Sequence, residues 1–417
     1  MLKRQFPRIV SALVTLSIVL TFAGPTRAQG KKITFLTPPW GVPPNQDTFK
    51  AWEDKSGITV EIQSVQTADL YSRVQVAAAS NQPAADVIFL TEEAPSNVIA
   101  TGNMIDLTDM IAASPDLDMK DFAKVDFFTQ NGKIYGIPTY QQLVMLEYNT
   151  DKLSKAGFSA PPKTWAEFQQ DAKAIQSKSI DQYPIAFAAS DWSWYLIALS
   201  MGDPMFDKDL NPVFADKGSK ARDAMKLLLS LFSDKLISPD ALTSAATPQH
   251  TLFWSGSGTF HQGWEGSTAV ANNPKTSKQA PNVKYMLLPE VGNTWSFPAA
   301  IGIAKNSPNA KEAWEFIKWY VTPEVQTDIY NAVGLYPSRT SVVDALTKAG
   351  KIDGADVIAE QSKHVNELPR FALWWGPFAQ KAAQAVYAAA QQGTDSDAVI
   401  DDLAKQWNDL KAEYGTK

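Results

Sequence analysis

From Lys32 onward, apolar and polar positions fall into short alternating blocks. Lys32-Ile33-Thr34-Phe35-Leu36 predicts a first strand, which stops at Pro38-Pro39-Trp40-Gly41. A helix around Asp47 to Lys55 and a second strand from Ile58 to Gln63 follow. Between Asp69 and Ala79, Leu70, Val74 and Ala77-Ala78 keep helical spacing. Ala85 to Leu90 is continuously apolar, the pattern of a strand buried on both faces. This βαβαβ alternation predicts an α/β domain with a largely parallel sheet.

A second block begins at Leu143 to Asn149, read as a strand crossing into another domain. Thr164 and Glu167 stand at capping-box spacing and predict a helix start. Ile185 to Ala188 reads as a strand and Lys220 to Phe232 as an amphipathic helix. Ala313, Phe316, Ile317 and Tyr320 form a helical stripe. Thr322-Pro323 restarts a helix expected to end at Gly334. Ile400, Leu403, Trp407 and Leu410 mark a last amphipathic helix. No internal repeat is evident.

The N-terminus has a different pattern. Lys3, Arg4 and Arg8 precede an apolar run from Ile9 to Ala23, and Thr26-Arg27-Ala28 offers a cleavage site. That is the layout of a secretory signal peptide. As a helix the run spans about 22 Å, short of a hydrocarbon core. It lacks the second Arg of a twin-arginine signal, so ordinary export is expected, with cleavage near Ala28. Removing 28 residues and four positive charges from 417 residues of net charge −6 leaves 389 residues at −10. That length suits two domains. The acidity argues against nucleic acid or an anionic membrane as partner. With no cysteine, disulfides, thiolate metal sites and a lipid anchor are not expected, and a freely diffusing periplasmic protein is.

Catalytic and cofactor motifs fail on inspection. The three histidines, His250, His261 and His364, are not at metal-ligand spacing. Asp207-x-Asp209-x-Asn211 begins like a calcium loop, but Pro212 replaces the Gly and Gly218 the closing Glu, so an exposed turn is expected. No phosphate-binding loop or nucleophile elbow occurs. No metal, cofactor or catalytic residue is therefore expected. Glu92-Glu93 follow a strand directly, and adjacent residues there point apart, which is wrong for a glycosidase pair.

Several segments share an order and spacing with a known family. They are Ala84 to Phe89, Gly132 to Pro138, Tyr148 to Leu153, Pro161 to Phe168, and Lys305 to Pro308 leading into Ala313 to Ile317. Through them the chain resembles the family 1 extracellular solute-binding proteins of ABC importers, the group containing the maltose-binding protein. The resemblance implies an α/β two-lobe periplasmic binding fold with a ligand cleft between the lobes and several hinge crossings. It implies a signal peptide over 1–28, lobe one over 29–140 and 298–336, and lobe two over 141–297 and 337–417. Crossings fall near Pro138 to Gln142, Thr294 to Pro298 and Tyr336 to Arg339. It also implies a monomer that docks on ABC permease transmembrane subunits.

A sugar offers apolar C–H faces and a rim of hydroxyls, which aromatic rings and a few polar groups match. Thirteen tryptophans make the first part plausible. Carried over position by position, the ligand-binding candidates are Trp40, Glu92, Glu93, Tyr140 and Gln141. With them stand Asp191, Trp192 and Trp194, placed in a loop after the strand at Ile185. Trp264 sits between glycines in Gly263-Trp264-Glu265-Gly266. Trp374-Trp375 precede a helix, with one ring expected to bind and the other to pack. Arg339 and Arg370 leave room for an anionic sugar. The expected ligand is a mono- or disaccharide, polyol or glycoside. A polyamine and a secreted glycoside hydrolase are the alternatives.

Overall fold

The computed structural model describes residues 31–91, 95–242 and 249–415. The apolar leader and the pair Glu92-Glu93 lie outside these residues. The strands are β1 (Lys31–Thr37), β2 (Ile58–Ser64), β3 (Val87–Leu90), β4 (Thr129–Gln130), β5 (Lys133–Ile134) and β6 (Ile137–Tyr140). They continue with β7 (Val144–Asn149), β8 (Ile185–Ala186), β9 (Phe260–Trp264), β10 (Val283–Met286) and β11 (Ala299–Ile303).

Two sheets organise two lobes. The first has the order β2-β1-β3-β11-β6 and the second β10-β7-β9-β8. β1 pairs in parallel with β2 and β3, as the alternation over 32–90 predicts. β11 is antiparallel to both β3 and β6, so the sheet is mixed rather than parallel throughout. The reason is the route of the chain: β11 returns from the second sheet and enters from the opposite end. In the second sheet, β7 lies antiparallel between β10 and β9.

Among the described residues the chain passes between the sheets at 141–143, over 287–298, and after the helix Pro323–Val333. These crossings bond to one another. The Gln141 N–H donates to the Tyr336 carbonyl at 2.9 Å, and the Phe297 N–H to the Gln142 carbonyl at 2.8 Å. Each lobe has its own apolar core. A smaller cluster sits at the crossings, with Leu143, Met145 and Tyr285 from one side, Tyr330 and Tyr336 from the other, and Val342 and Leu346 beyond.

Local signals account for the helix ends. Thr164 and Glu167 form the reciprocal capping box of the helix Trp165–Ser177. Thr322 caps Pro323–Val333, which ends at Gly334 in the left-handed region. The stretch Asp191–Ser200 corrects an expectation: it is a helix, not a loop. Nine of its residues are buried, with Trp192 half-buried, so no amphipathic period marks it. Asp207 closes an exposed turn, accepting N–H bonds from Asp209 and Asn211 at 2.9 and 2.8 Å. No helix among the described residues is long and apolar enough to cross a membrane.

At one point between the lobes the contact is backbone on backbone. Gly266 follows β9 with φ +95°, and a Cβ there would sit 2.2 Å from the Gly334 carbonyl oxygen. A Cβ on Gly334, at φ +67°, would sit 2.5 Å from the Gly266 carbonyl oxygen. Gly393 is a matched control, since it ends a helix at φ +68° with nothing within 4 Å of its missing Cβ. Gly393→Ala is expected to cost the left-handed strain alone, about 1–2 kcal/mol. Gly334→Ala is expected to cost more, because the two backbones must separate as well. Urea unfolding of both variants checks this, and equal losses would show that the contact does not constrain the hinge.

Candidate functional site

Making 191–200 a helix places Tyr195 beside both Asp191, at i,i+4, and Trp192, at i,i+3. The crossing over 287–298 brings Trp295 and Phe297 to them. The Trp192 ring meets Trp295 edge-on at 5.5 Å and Phe297 at 5.2 Å. Tyr195 lies 5.8 Å from Trp375, whose helix Trp375–Gln392 starts at this point. Asp191, Trp192, Tyr195, Trp295, Arg370 and Trp375 are among the residues that line a small cavity of about 20 Å³. Burial pushes the Asp191 carboxyl up to about 7, opposed by the Trp192 N–H and the Tyr195 hydroxyl. The cavity is a box of rings with a carboxyl, a phenol and a guanidinium in it.

Lobe one closes over this box. The Asn97 side chain donates to the Leu373 carbonyl. Lys124 reaches Glu367 at 3.3 Å, and Glu367 also meets Arg370 at 3.3 Å. Lys124 and Arg370 both sit over the Phe127 ring, at 5.4 and 5.5 Å. A separate open depression of about 500 Å³ is lined by Pro44 to Asp47 and by Asp328, Asn331 and Ala332. It belongs wholly to lobe one and carries no aromatic ring, so we place the site at the seam.

The hinge forms a second wall. Half-buried Trp264 ends β9 and donates its indole N–H to the Gly334 carbonyl at 2.8 Å. Glu265 accepts the Leu143 N–H at 2.9 Å, and burial raises its carboxyl to about 8. Trp40 donates to the buried Tyr140 hydroxyl at 3.3 Å, and Gln141 is half-buried beside them in the first crossing. Trp264 also packs edge-on against His250 at 4.8 Å.

The structure thus gathers Asp191, Trp192 and Trp375 in one box, and Trp264, Tyr140, Gln141 and Trp40 along the hinge and the lobe-one loop. Trp374 is half-buried against Trp407 at 5.7 Å, and its buried indole N–H has no hydrogen-bond partner. Two candidates are corrected. Trp194 is 0% exposed and donates to the Ala221 carbonyl at 2.9 Å, so it packs the lobe-two core. Arg339 is 6% exposed and bonded through each of its three side-chain nitrogens. It donates to the Val321 and Leu117 carbonyls, pairs with Asp121 at 3.0 Å, and covers the Phe122 ring at 4.1 Å. Against the upward push of burial, bonds from Ser341, Arg339 and Thr340 hold Asp121 down to about 2. Buried, and bonded within the fold through all three of its side-chain nitrogens, Arg339 is a clamp rather than a ligand group. Among the described residues no cluster of three or more His, Asp or Glu could hold a metal ion.

Sequence reasoning missed Tyr195, Trp295, Phe297 and Glu265. The 191–200 helix would have revealed Tyr195, one turn after Asp191. Trp295 and Phe297 lie within the expected second crossing, a signal that was available. Glu265 had none, because its burial depends on the crossing at Leu143.

The sequence profile of the bacterial extracellular solute-binding protein family matches residues 47–355. A diacetylchitobiose binding protein of Streptomyces coelicolor is 23% identical over 336 residues, covering 78% of this chain and 77% of its own. The maltose-bound MalE3 of T. maritima superposes with TM-score 0.78 at 22% identity, over 91% of this chain and 99% of that one. A ribitol complex of an ABC transporter solute-binding protein from Agrobacterium radiobacter gives TM-score 0.80 at 18% identity, over 92% and 99%.

Burial raises Glu147 to about 8, Asp191 to about 7 and Glu265 to about 8. The folded chain therefore keeps protons that unfolded carboxyls have already lost. A raised carboxyl pKa favours the fold below it, and that benefit fades as pH rises through it. Above the range where the lowered His250 and His261 add the opposite slope, stability without ligand is expected to fall from about pH 6.5 to about pH 8.5. Glu265→Gln, which stays neutral, is expected to flatten the slope. Urea midpoints across this range decide it, and a midpoint that rises with pH would show these acids ionised in the fold.

Proposed function

The chain belongs to the bacterial extracellular solute-binding proteins, and we propose that it binds a neutral mono- or disaccharide, polyol or glycoside for an ABC importer. Its family captures and delivers solutes and is not a family of enzymes. One observation carries the choice of ligand: Trp192 and Trp264 are left half-buried at the lobe seam, Trp192 against the closed ring cluster of Trp295, Phe297 and Trp375, with Asp191 and Arg370 beside it. Rings meet the C–H faces of a sugar, and few but placed polar groups meet its hydroxyls. The diacetylchitobiose relative and the maltose- and ribitol-bound neighbours support the same class.

The charges favour a neutral ligand. Arg339 is spent on Asp121, and Arg370 is paired with Glu367 over Phe127. That leaves little for an anion. A polyamine needs ionised carboxylates, whereas burial holds Asp191 and Glu265 towards their neutral forms.

We divide the chain into lobe one, 29–140 with 298–336, and lobe two, 141–297 with 337–417. The ligand draws the lobes together, and the Lys124–Glu367 and Asn97–Leu373 contacts hold the closed form that the permease subunits read. The leader is removed near Ala28 and the mature protein works as a periplasmic monomer. Trp192, Trp264 and Trp374 supply stacking faces, and Tyr140, Gln141 and Trp40 line the opposite wall. Glu92 and Glu93 remain candidates for hydroxyl contacts.

A thermal-shift screen of the mature protein against sugars, polyols, anionic sugars and polyamines tests the class. A ligand at about 100 times its Kd stabilises by about 2.7 kcal/mol, a shift of several degrees. Response to a neutral carbohydrate supports the reading, and response only to a polyamine or an anion overturns it. Trp192→Ala and Trp264→Ala are each expected to weaken that ligand more than about tenfold, or about 1.4 kcal/mol. Scattering is expected to show a smaller radius of gyration at saturation.

A further inference from the structure

Behind Trp264, lobe two contains a buried chain of hydrogen-bonded polar groups that ligand contact alone does not explain. Ser267 Oγ donates to Glu147 Oε1. Glu147 Oε2 lies 2.7 Å from His261 Nδ1, and His261 Nε2 lies 2.8 Å from His250 Nδ1. His250 Nε2 lies 3.3 Å from the Gln249 amide nitrogen. Glu147 and His261 are 0% exposed. With Glu147 ionised, every bond points one way: the Gln249 amide donates to His250, His250 to His261, and His261 to Glu147. Both imidazoles then carry hydrogen on Nδ1.

The chain has a second consistent arrangement. A proton from water enters at His250 Nε2, the His250 Nδ1 proton passes to His261 Nε2, and the His261 Nδ1 proton passes to Glu147. One proton is gained, no imidazolium forms, and every bond is reversed. The Gln249 amide must then accept at His250 Nε2. Its own oxygen is buried with no partner, so turning the amide over supplies that acceptor.

Both ends of the chain touch Trp264. His250 packs edge-on against its ring at 4.8 Å. Ser267 Oγ accepts the Trp264 N–H at 3.1 Å and reaches the Trp264 carbonyl at 2.6 Å. Its single hydroxyl proton has two acceptors, Glu147 and that carbonyl. Ionised Glu147 wins it, because charge-assisted bonds are the stronger. We propose that Glu147, His261 and His250 are positioning residues for Trp264. As pH falls the chain takes up one proton, both imidazoles turn from Nδ1–H to Nε2–H, and the Ser267 hydroxyl is released to hold the Trp264 carbonyl. Ligand binding thereby becomes linked to proton uptake, which rests on Trp264 being a cleft wall.

The surroundings favour neutral members. Burial pushes Glu147 up to about 8 and His261 down to about 3, and burial with the neighbouring His261 holds His250 well below the ordinary imidazole value. Phe253 stacks on His261 at 4.4 Å and Trp254 on His250 at 6.0 Å. From β10, Tyr285 faces Glu147 and donates to the Trp264 carbonyl at 3.0 Å. Burial, then the Glu147 charge, drives its hydroxyl far above the ordinary phenol range. From the helix Ser267–Ala271, Thr268 donates to Tyr285 at 3.2 Å. Among the described residues no lysine, arginine or aspartate bonds to a member of the chain. Glu265 and Asp191 titrate outside it, so the readout is the difference from a Glu147 variant.

The test uses the ligand-free mature protein first. Imidazole ¹⁵N–¹H correlations across pH 6 to 9 are expected to show His250 and His261 exchanging tautomer together in one step. An imidazolium at either ring, or fixed tautomers, overturns the proposal without requiring any variant. Glu147→Gln keeps the shape, donates to His261 through its amide and, being neutral, leaves the Ser267 hydroxyl to the Trp264 carbonyl. It is expected to hold both rings as Nε2–H and to show the low-pH tryptophan emission at every pH. Emission is compared with Trp264→Phe to isolate that ring. With a bound carbohydrate, wild-type Kd is expected to be about threefold or more weaker at pH 9 than at pH 6. Glu147→Gln is expected to hold the tighter value throughout, and equal pH profiles for the two proteins overturn the link. If no carbohydrate binds, the sugar reading fails while the tautomer and emission data still decide the chain.

Discussion

Everything at the cleft depends on two backbones meeting where no side chain fits. Gly266 comes from the strand end that carries Trp264, and Gly334 from the last turn of a lobe-one helix. With both residues lacking a Cβ, the Gly334 carbonyl is left facing lobe two, where it accepts the Trp264 indole N–H. The Gln142 amide reaches the same carbonyl at 3.5 Å and the Glu265 carbonyl at 3.4 Å. One oxygen therefore gathers a strand end of lobe two, the first crossing and the third. Bulk at either glycine would push these apart and carry Trp264 and Glu265 with them.

Much of the fold was readable before any coordinates. Apolar patterning located the β1, β2 and β3 region and the helices between them, because the helices bury one face and β3 buries both. The capping box at Thr164 and the Pro323 start with its Gly334 stop were equally plain, since they satisfy backbone groups locally. The helix at 191–200 was not legible, because a helix buried all round has no polar face to set its period. Arg339 misled for a related reason. An arginine near a predicted cleft looks the same in sequence whether its partners are a ligand or three groups far along the chain. Those partners, Leu117, Asp121 and Val321, are fixed by tertiary folding alone. Trp194 and Trp192, two positions apart, face the core and the seam, and only the helix phase separates them.

The site is built with little net charge. Asp191, Glu147 and Glu265 are carboxyls taken out of water with few cations near them, and burial answers by keeping their protons. Protonated, such groups both donate and accept, which suits a hydroxyl-rich ligand better than a fixed anion does. The cations at the seam, Lys124 and Arg370, share the one carboxylate of Glu367. Recognition at the box then falls to ring contact and short hydrogen bonds.

The small cluster at the crossings has a consequence for how the molecule holds together. Leu143, Met145 and Tyr285 come from lobe two, Tyr330 from lobe one, and Val342 and Leu346 from the segment after the third crossing. That last segment is tied back to lobe one by Arg339 and by Ser341 on Asp121. Neither lobe can be cut out as a contiguous stretch of chain, and neither owns all of its apolar surface. The two halves that we propose close on a ligand thus share one apolar cluster, so a lesion in it strips contacts from both.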